Sequence, residues 1–230
     1  MLGVVIPAHN AADYMARACA RSSRPHGILR SLANRSESLW SSIAVLTQPV
    51  TLPAHSTHMS YLSRPATSVS RATGAAAALA ERARWLAFTD ADTTVAPDWL
   101  VQQLLCRADA VCGVISVTDW RGHSDAVREN FVTTYRDADG HRHIHSANLG
   151  VSASAYSLVK GFQPLATNED VALVEALIAA GATVAWSAAP RVTTSARLDS
   201  RAPGGFGDAL RQVSRRLAAK TLSATARLFT

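Results

Sequence analysis

Residues 83–94 read ARWLAFTDADTT and decide the fold class of this chain. Within them, the largely apolar run from Arg84 to Thr89 is typical of a buried strand, and it leads directly into Asp90 and Asp92. The preceding residues, 72–84, are rich in alanine, which favours a helix. A helix that leads into a buried strand with carboxylates at its end is the order of elements expected in an α/β protein.

Strands and helices alternate on both sides of this stretch. GVVIPA at residues 3–8 predicts a first strand that ends at Pro7, with a loop at His9 and Asn10 and a helix over 11–19. The later pattern predicts, in order, a helix from Asp98 to Arg107, a strand from Ala110 to Val117, a helix from Val171 to Ala180 ended by Gly181, a strand from Thr183 to Ser187 and a helix over residues 208–230. This alternation predicts an α/β fold with a mostly parallel sheet flanked by helices.

The composition is that of a globular protein. The chain has 230 residues, 48% apolar and 17% charged, which excludes wholesale disorder. No apolar run reaches about 18 residues, so no membrane-spanning helix is expected. The first residues, MLGVVIPAHN, lack a basic region followed by an apolar stretch, so no secretory signal is predicted. Three cysteines without CxxC spacing, Cys19, Cys106 and Cys112, indicate reduced thiols and a cytoplasmic location.

The net charge of +6 comes from one segment. Residues 16–71 contain seven arginines and one acid, Glu37, whereas the rest of the chain is neutral. Residues 20–71 are also rich in Ser, Arg, Pro, His and Thr and lack clear periodicity, which is typical of a disordered insertion or linker. A basic charge confined to this segment argues against a nucleic-acid partner.

Two pairs of carboxylates are candidates for chemistry. Asp90 and Asp92 follow a strand, where alternate side chains in a loop converge on one cation, and their oxygens suit Mg²⁺ or Mn²⁺. A solvated turn explains the same residues without a metal. Glu169 and Asp170 open the periodic helix, where they serve either as a general base or simply as helix-capping acids.

Basic and histidine side chains form two weaker candidates. Arg197 and Arg201, which precede Gly204 and Gly205, suit phosphate oxygens, although a polar surface loop has the same composition. His141, His143 and His145 alternate, so on a strand they share one face. They form either a transition-metal site, for which no acid or Cys partner is evident, or a wall near the active site.

The last helix is amphipathic and basic. One face carries Leu210, Val213, Leu217, Thr221, Ala224 and Leu228, and five basic residues lie elsewhere on the helix. Packing of the apolar face on the domain is the favoured interpretation. The alternative is peripheral contact with an anionic membrane surface, at the inner face for a cytoplasmic protein.

Several of these segments together resemble the bacterial family 2 glycosyltransferases. The resemblance rests on VVIPAHN, ARWLAFTDADT, HSANLGVSASAYSLVKGF, NEDVAL and TSARLDSRAPGGF, in that order, and covers residues 3–15 and 72–210. It implies the GT-A fold in a single domain over residues 1–210. It also implies transfer of a sugar from a nucleotide-diphosphate donor, such as a UDP- or GDP-sugar, to an acceptor hydroxyl, with Mg²⁺ or Mn²⁺.

The resemblance also implies residue roles. These are nucleotide contact for Pro7, Ala8 and Asn10, metal and diphosphate binding for Asp90 and Asp92, the acceptor side for Asn148, the catalytic base for Asp170 beside Glu169, and donor phosphate contact for Arg197 and Arg201. The family's single displacement inverts the anomeric centre, and the missing Q-x-x-R-W signature favours one transfer over polymerisation. A degenerate, non-catalytic relative that keeps part of the fold is the alternative.

One part of the family pattern is missing. A second strand that ends in an acidic, nucleotide-contacting motif and an R-N-x-G element should lie within residues 20–71, and neither is present. If each codon is instead read from its old third base, TCN serine codons become codons for Val, Leu, Ile or Phe. Permitted codons then give VVVDSCSD and ARNVGVA, followed directly by Arg71. The codons for Trp40 and Met59 both end in G. In the shifted frame, that G and the first two bases of the following TCN serine codon form GTC, which encodes valine.

We predict that residues from about 17 to about 71 are translated out of frame, with the normal frame restored near Ser70 and Arg71. Sequencing the coding DNA across residues 10–80 is expected to show two compensating single-base differences, one near residues 17–21 and one near residues 70–71. If the sequenced DNA encodes this chain without change, the two base differences do not exist. The shift would then belong to a decayed gene, or the segment would be a genuine Ser/Arg-rich insertion.

Overall fold

The computed structural model describes residues 2–9, 41–48, 58–60, 67–120, 122–198 and 205–227. The chain divides into two compact units. Met1–Ser116 and Asp137–Thr194 form the first, which contains the sheet, and Val117–Arg136 and Ser195–Thr230 form the second, which contains two helices of the described part. The single domain expected over residues 1–210 stays a prediction.

Strands and helices alternate along much of the chain. The strands are β1 Leu2–His9, β2 Ser41–Gln48, β3 His58–Ser60, β4 Trp85–Phe88, β5 Thr94–Val95, β6 Ala110–Val117, β7 Leu149–Ser152 and β8 Val184–Thr194. The helices are α1 Thr67–Ala80, α2 Trp99–Leu105, α3 Asp125–Thr134, α4 Ala153–Leu158, α5 Glu169–Ala179 and α6 Phe206–Arg227, with a 3-10 turn at Ser146–Asn148.

The strands form one mixed sheet in the order β3-β2-β1-β4-β7-β6-β8-β5. β1 pairs in parallel with β4 and antiparallel with β2, which is antiparallel to β3. β7 runs antiparallel to both its neighbours, and β5 runs antiparallel to β8. β6 and β8 run in the same direction, because Asp109 N bonds Thr183 O at one end and Ser116 Oγ bonds Val192 O at the other. Most strands therefore share one direction, and the expected α/β class is confirmed.

The core of the first unit surrounds β4. All four of its residues, Trp85 to Phe88, are buried, because the strand lies between β1 and β7 with side chains covered on both faces. The Phe88 ring packs edge-on against Phe162 at 5.0 Å, and Leu173 and Leu177 bring the apolar face of α5 into the same cluster. This packing fixes the end of β4, where Asp90 follows.

A buried amide joins several elements of the first unit. Asn148 has no exposed surface, and its Oδ1 accepts a bond from Trp99 Nε1 on α2 at 2.7 Å. Its Nδ2 donates to Val114 O on β6 at 2.7 Å and to Pro190 O on β8 at 2.8 Å. A side chain at Gly113 would collide with this amide, since a Cβ there would lie 2.2 Å from Asn148 Nδ2. The amide therefore fixes the positions of β6 and β8 relative to α2.

Several boundaries differ from the sequence prediction. The sequence predicted that β1 ends at Pro7. The strand instead continues to His9, because β2 pairs with it as far as that residue. Within residues 20–71, expected to lack regular structure, β2, β3 and the start of α1 form, so that expectation is corrected for them. The helix expected over 11–19 lies outside the described residues. β8 runs on to Thr194, beyond the predicted Ser187, since its end pairs with β5.

In the second unit, the apolar face of α6 packs on α3. Leu210 and Val127 are buried together, with Val213 and Leu217 partly buried against them, and the Phe206 ring contacts Phe131 at 5.7 Å. Three residues of the predicted apolar face, Leu210, Val213 and Leu217, therefore pack within this unit as expected. Within the part of the chain that the structure describes, no helix is both long and apolar enough to cross a bilayer.

We expect Asn148→Ala to lower the free energy of unfolding by about 3 kcal/mol, because it leaves the buried Trp99 N–H and two carbonyls without partners. Gln102→Ala is the matched control. It removes one exposed hydrogen bond, between Gln102 and Asp98, at α2, the helix that also carries Trp99. Urea unfolding of both variants measures the difference. Equal stabilities would show that the Asn148 amide does not hold the sheet.

Candidate active site

A buried arginine lies at the centre of the candidate site. Arg71, on α1, donates from Nη2 to Asp90 Oδ1 at 2.6 Å and from Nη1 to Glu169 Oε1. Asp90 lies two residues after the end of β4. Between them, Thr89 N donates to Val5 O of β1, so the chain stays bonded to β1 beyond the end of the strand. Glu169 is the first residue of α5. One guanidinium therefore joins a helix, the end of a central strand and the start of a second helix.

The charges around Arg71 compensate for its burial. Burial alone lowers the pKa of Arg71, but the charges of Asp90 and Glu169 outweigh that effect and raise the pKa overall, with a smaller contribution from Asp170. A buried cation with a single partner usually costs more in desolvation than it gains. Two carboxylates on one guanidinium change that balance. The site therefore depends on all three charged groups together.

Asp170, next to Glu169, is held separately. Its Oδ2 accepts a bond from the Ser146 N–H at 2.8 Å, and its Oδ1 accepts one from the Val171 N–H at 2.9 Å. The Ser146 contact ties the start of α5 to the 3-10 turn. Each carboxylate oxygen keeps further lone-pair capacity. The group is therefore oriented by the backbone while it can still accept a proton.

Asp90 and Asp92 offer oxygen ligands that suit a divalent cation. Mg²⁺ commonly takes one or two protein carboxylates and completes its shell with substrate phosphates and waters. Arg71 engages Asp90 Oδ1. The chemistry of Asp90 Oδ2 and of the Asp92 carboxylate fits such an ion, and their role as its ligands stays a prediction. No cluster of three or more His, Cys, Asp or Glu residues arranged for a metal occurs in the described part of the chain. A cation here would therefore need phosphate oxygens to complete its ligands.

The three histidines stack on one another. The ring centroids of His141 and His143 are 5.3 Å apart, and those of His143 and His145 are 5.9 Å apart. Trp186 of β8 meets His141 edge-on at 6.0 Å. Burial and then the neighbouring histidines lower the pKa of His145 to about 3, so this imidazole is neutral near neutral pH. Stacked rings favour the predicted wall over a metal site, since converging nitrogens are what a metal needs.

The other predicted residues lie in different places. Pro7 and Ala8 lie on β1, and Asn10 and Arg201 lie outside the described residues. Arg197 belongs to the second unit. Asn148 is in the 3-10 turn, with its amide buried, so any effect on an acceptor would pass through its neighbours. Their ligand roles stay predictions.

The sequence analysis missed Arg71. It lies at the end of residues 16–71, a segment interpreted as a disordered insertion or linker, and its charge was counted with that segment. The available signal was its place directly before the helix predicted over residues 72–84, which leads to β4. Arginine near one end of a helix next to a central strand is well placed to reach acids at the strand end.

No protein-family model and no curated protein matches this chain. Solved structures with partial similarity include S. aureus TarS residues 1–349 in complex with UDP-GlcNAc, with 11% identity, TM-score 0.44, and coverage of 69% of this chain and 47% of that one. GalNAc-T7 with UDP, GalNAc and Mn²⁺ gives 14% identity, TM-score 0.42, and coverage of 58% and 31%. A197 from STIV gives 17%, 0.36, and coverage of 56% and 68%.

These values describe a limited likeness. The chain spans about half of the TarS structure and less of GalNAc-T7. The function is therefore argued from this chain's own residues.

We expect Arg71→Gln to destabilise the first unit by about 3–5 kcal/mol, because it leaves the buried Glu169 carboxylate and Asp90 without their cation. Arg82→Gln is the control, since Arg82 is exposed just after α1. Chemical unfolding near neutral pH measures both. A loss below about 1 kcal/mol for Arg71→Gln, the size typical of a surface pair, would mean that the guanidinium is not the central tie of the site.

Proposed function

We propose that this chain is a glycosyltransferase that moves a sugar from a nucleotide-diphosphate donor to an acceptor hydroxyl. The observation that carries the proposal is the joining of Asp90 and Glu169 by buried Arg71, with Asp170 oriented beside them. Carboxylates from the D-x-D and E-D motifs, which are far apart in sequence, thereby belong to one cluster. That cluster combines groups for anion neutralisation and for proton removal.

Asp170 is the proposed general base. An acceptor hydroxyl becomes a nucleophile as its proton passes to a carboxylate within hydrogen-bond reach. The backbone N–H groups of Ser146 and Val171 hold this carboxylate in one orientation. Orientation of this kind lowers the entropy cost of reaching the transition state.

Arg71 is the proposed organiser of the donor end. It sets the position of Asp90, and its own Nε–H is buried without a hydrogen-bond partner among the described residues. A phosphate oxygen that reached this buried donor would satisfy it, and an arginine suits phosphate because its charge and planar N–H groups match the oxygens. Asp92 and Asp90 would hold a Mg²⁺ or Mn²⁺ ion. When bound, that cation supplies charge neutralisation of the diphosphate leaving group.

Inversion and a single transfer complete the proposal. One base that activates the acceptor is sufficient for direct displacement, which inverts the anomeric centre, whereas a covalent double displacement needs a separate protein nucleophile. The sequence lacks the Q-x-x-R-W signature of processive synthases. A product that keeps the donor's anomeric configuration would contradict direct displacement.

The alternative function is that of a non-catalytic relative. It is favoured by the absence of the acidic, nucleotide-contacting motif from residues 20–71. Such a protein keeps the sheet and the Arg71 cluster as a fold element. Sugar transfer by this chain excludes that alternative.

We expect Asp170→Asn to lower the rate of sugar transfer about 10²- to 10⁴-fold, because an amide cannot accept the acceptor's proton. The assay screens UDP- and GDP-sugars with Mg²⁺ or Mn²⁺ and detects the glycosylated product by mass. Chelation of the metal is expected to abolish transfer in the parent chain.

Asp137→Asn is the matched control, since Asp137 forms an exposed pair with Arg191 in the same unit. It removes one carboxylate without touching the cluster, and its transfer rate should equal that of the parent. An Asp170→Asn protein as active as the control would reject Asp170 as the base. The complete absence of transfer and of donor binding in the parent would support the non-catalytic alternative.

A further inference from the structure

The charge outside residues 16–71 is unevenly distributed. That part of the chain is neutral in total, yet helix α6 carries Arg211, Arg215, Arg216, Lys220 and Arg227 against one acid, Asp208. The excess charge of the second unit is therefore concentrated on one helix. Because the residues outside 16–71 have no net charge in total, those outside α6 carry a matching excess of acidic residues. The charge is therefore unevenly divided along the chain even when residues 16–71 are set aside.

Packing determines which side of α6 faces solvent. Leu210, Val213 and Leu217 lie on the face that packs with α3, and this face is buried or partly buried. Successive residues turn by about 100° around a helix, so residue 215 lies roughly opposite that face, and residues 216 and 220 lie along one flank of it. Arg215, Arg216 and Lys220 are all exposed. The packed helix thus presents three cations to solvent within two turns.

Within α6 as the structure describes it, the acid lies at the start of the helix. Asp208, the acid of the helix, bonds Arg211, which also donates to Leu198 O. Arg211 is therefore held against its own unit, while the three exposed cations lie one to three turns further along the helix. This arrangement keeps a positive outer face next to a neutralised N-terminal turn.

We propose that the outer face of α6, defined by Arg215, Arg216 and Lys220, binds the anionic surface of a lipid bilayer. Clustered lysine and arginine residues attract anionic headgroups, and each contributes about a fivefold gain in affinity at the surface. The apolar side of α6 is already packed within the unit, so binding is electrostatic, peripheral and reversible. This inference concerns the second unit and does not depend on the proposed sugar transfer.

The same face is poorly suited to nucleic acid. The one aromatic residue of α6, Phe206, packs its ring against Phe131, so no aromatic side chain of the helix is offered for stacking on bases. The helix is also packed side-on against α3, whereas recognition helices enter a groove with a projecting face. An anionic bilayer surface instead requires only clustered basic side chains that are exposed, as Arg215, Arg216 and Lys220 are.

The test is co-sedimentation of the full chain with vesicles, without a sugar donor. We expect binding to phosphatidylcholine vesicles that contain about 30% phosphatidylglycerol, and no binding to phosphatidylcholine alone. Raising the salt from about 0.1 M to about 0.5 M should release the protein, because screening shortens the range of the attraction. The triple variant R215Q/R216Q/K220Q should bind roughly one hundred times more weakly.

The matched control is R82Q/R84Q/R107Q, which removes the same charge from exposed residues of the first unit. It should bind nearly as well as the parent chain. Equal losses in both triple variants would attribute binding to net charge and overturn the proposal. So would the absence of binding to anionic vesicles, or tighter binding to duplex DNA that the α6 variant alone abolishes. Circular dichroism of both variants checks that α6 remains folded.

Discussion

The guanidinium of Arg71, buried between Asp90 and Glu169, is the interaction on which the first unit depends most. Taking the Arg71 cation and the Glu169 carboxylate out of water costs several kcal/mol for each ion, and their attraction, together with that of the partly exposed Asp90, offsets that cost. The attraction acts when α1, the end of β4 and the start of α5 meet at the correct distances. The same requirement that stabilises the fold therefore places Asp90 near the E-D pair, so geometry useful for chemistry follows from an electrostatic constraint.

A neutral set of hydrogen bonds, made by Asn148, supports another part of the same sheet. Asn148 binds α2, β6 and β8 through one amide, and it is followed directly by β7, the strand that runs against its neighbours. A reversed strand inside an otherwise co-directional region needs its entry point fixed, and a fully bonded amide does this with no charge to desolvate. The turn that holds Asn148 also supplies the Ser146 N–H for Asp170. The fixed entry to β7 and the orientation of the base are therefore one piece of structure.

Much of this arrangement could be predicted from the sequence, for identifiable reasons. β6 and α5 are bounded by strong signals, an apolar run and a periodic pattern that ends at Gly181, and both were predicted closely. β7 and α4 are only four and six residues long, too short for a periodic pattern to reveal them. Arg71 was missed because a charge is usually solvated, and only the three-dimensional meeting of α1 with two acids makes its burial favourable. Side-chain convergence of this kind leaves no periodic trace.

The basic charge of the chain comes from two segments, residues 16–71 and helix α6, and the two differ in how the charge fits the fold. The excess within residues 16–71 has the composition expected of a shifted frame, and a chain in register would lose it without losing the cluster, since Arg71 is the first residue after the re-read segment. The charge of α6 is different, because it lies on a helix whose apolar face is packed and whose sequence is consistent with its structure at every level. A property that belongs to the folded protein should survive correction of the frame. If the predicted frame shift is real, the positive face of α6 and the Arg71 cluster would survive its correction, and the high overall pI would not.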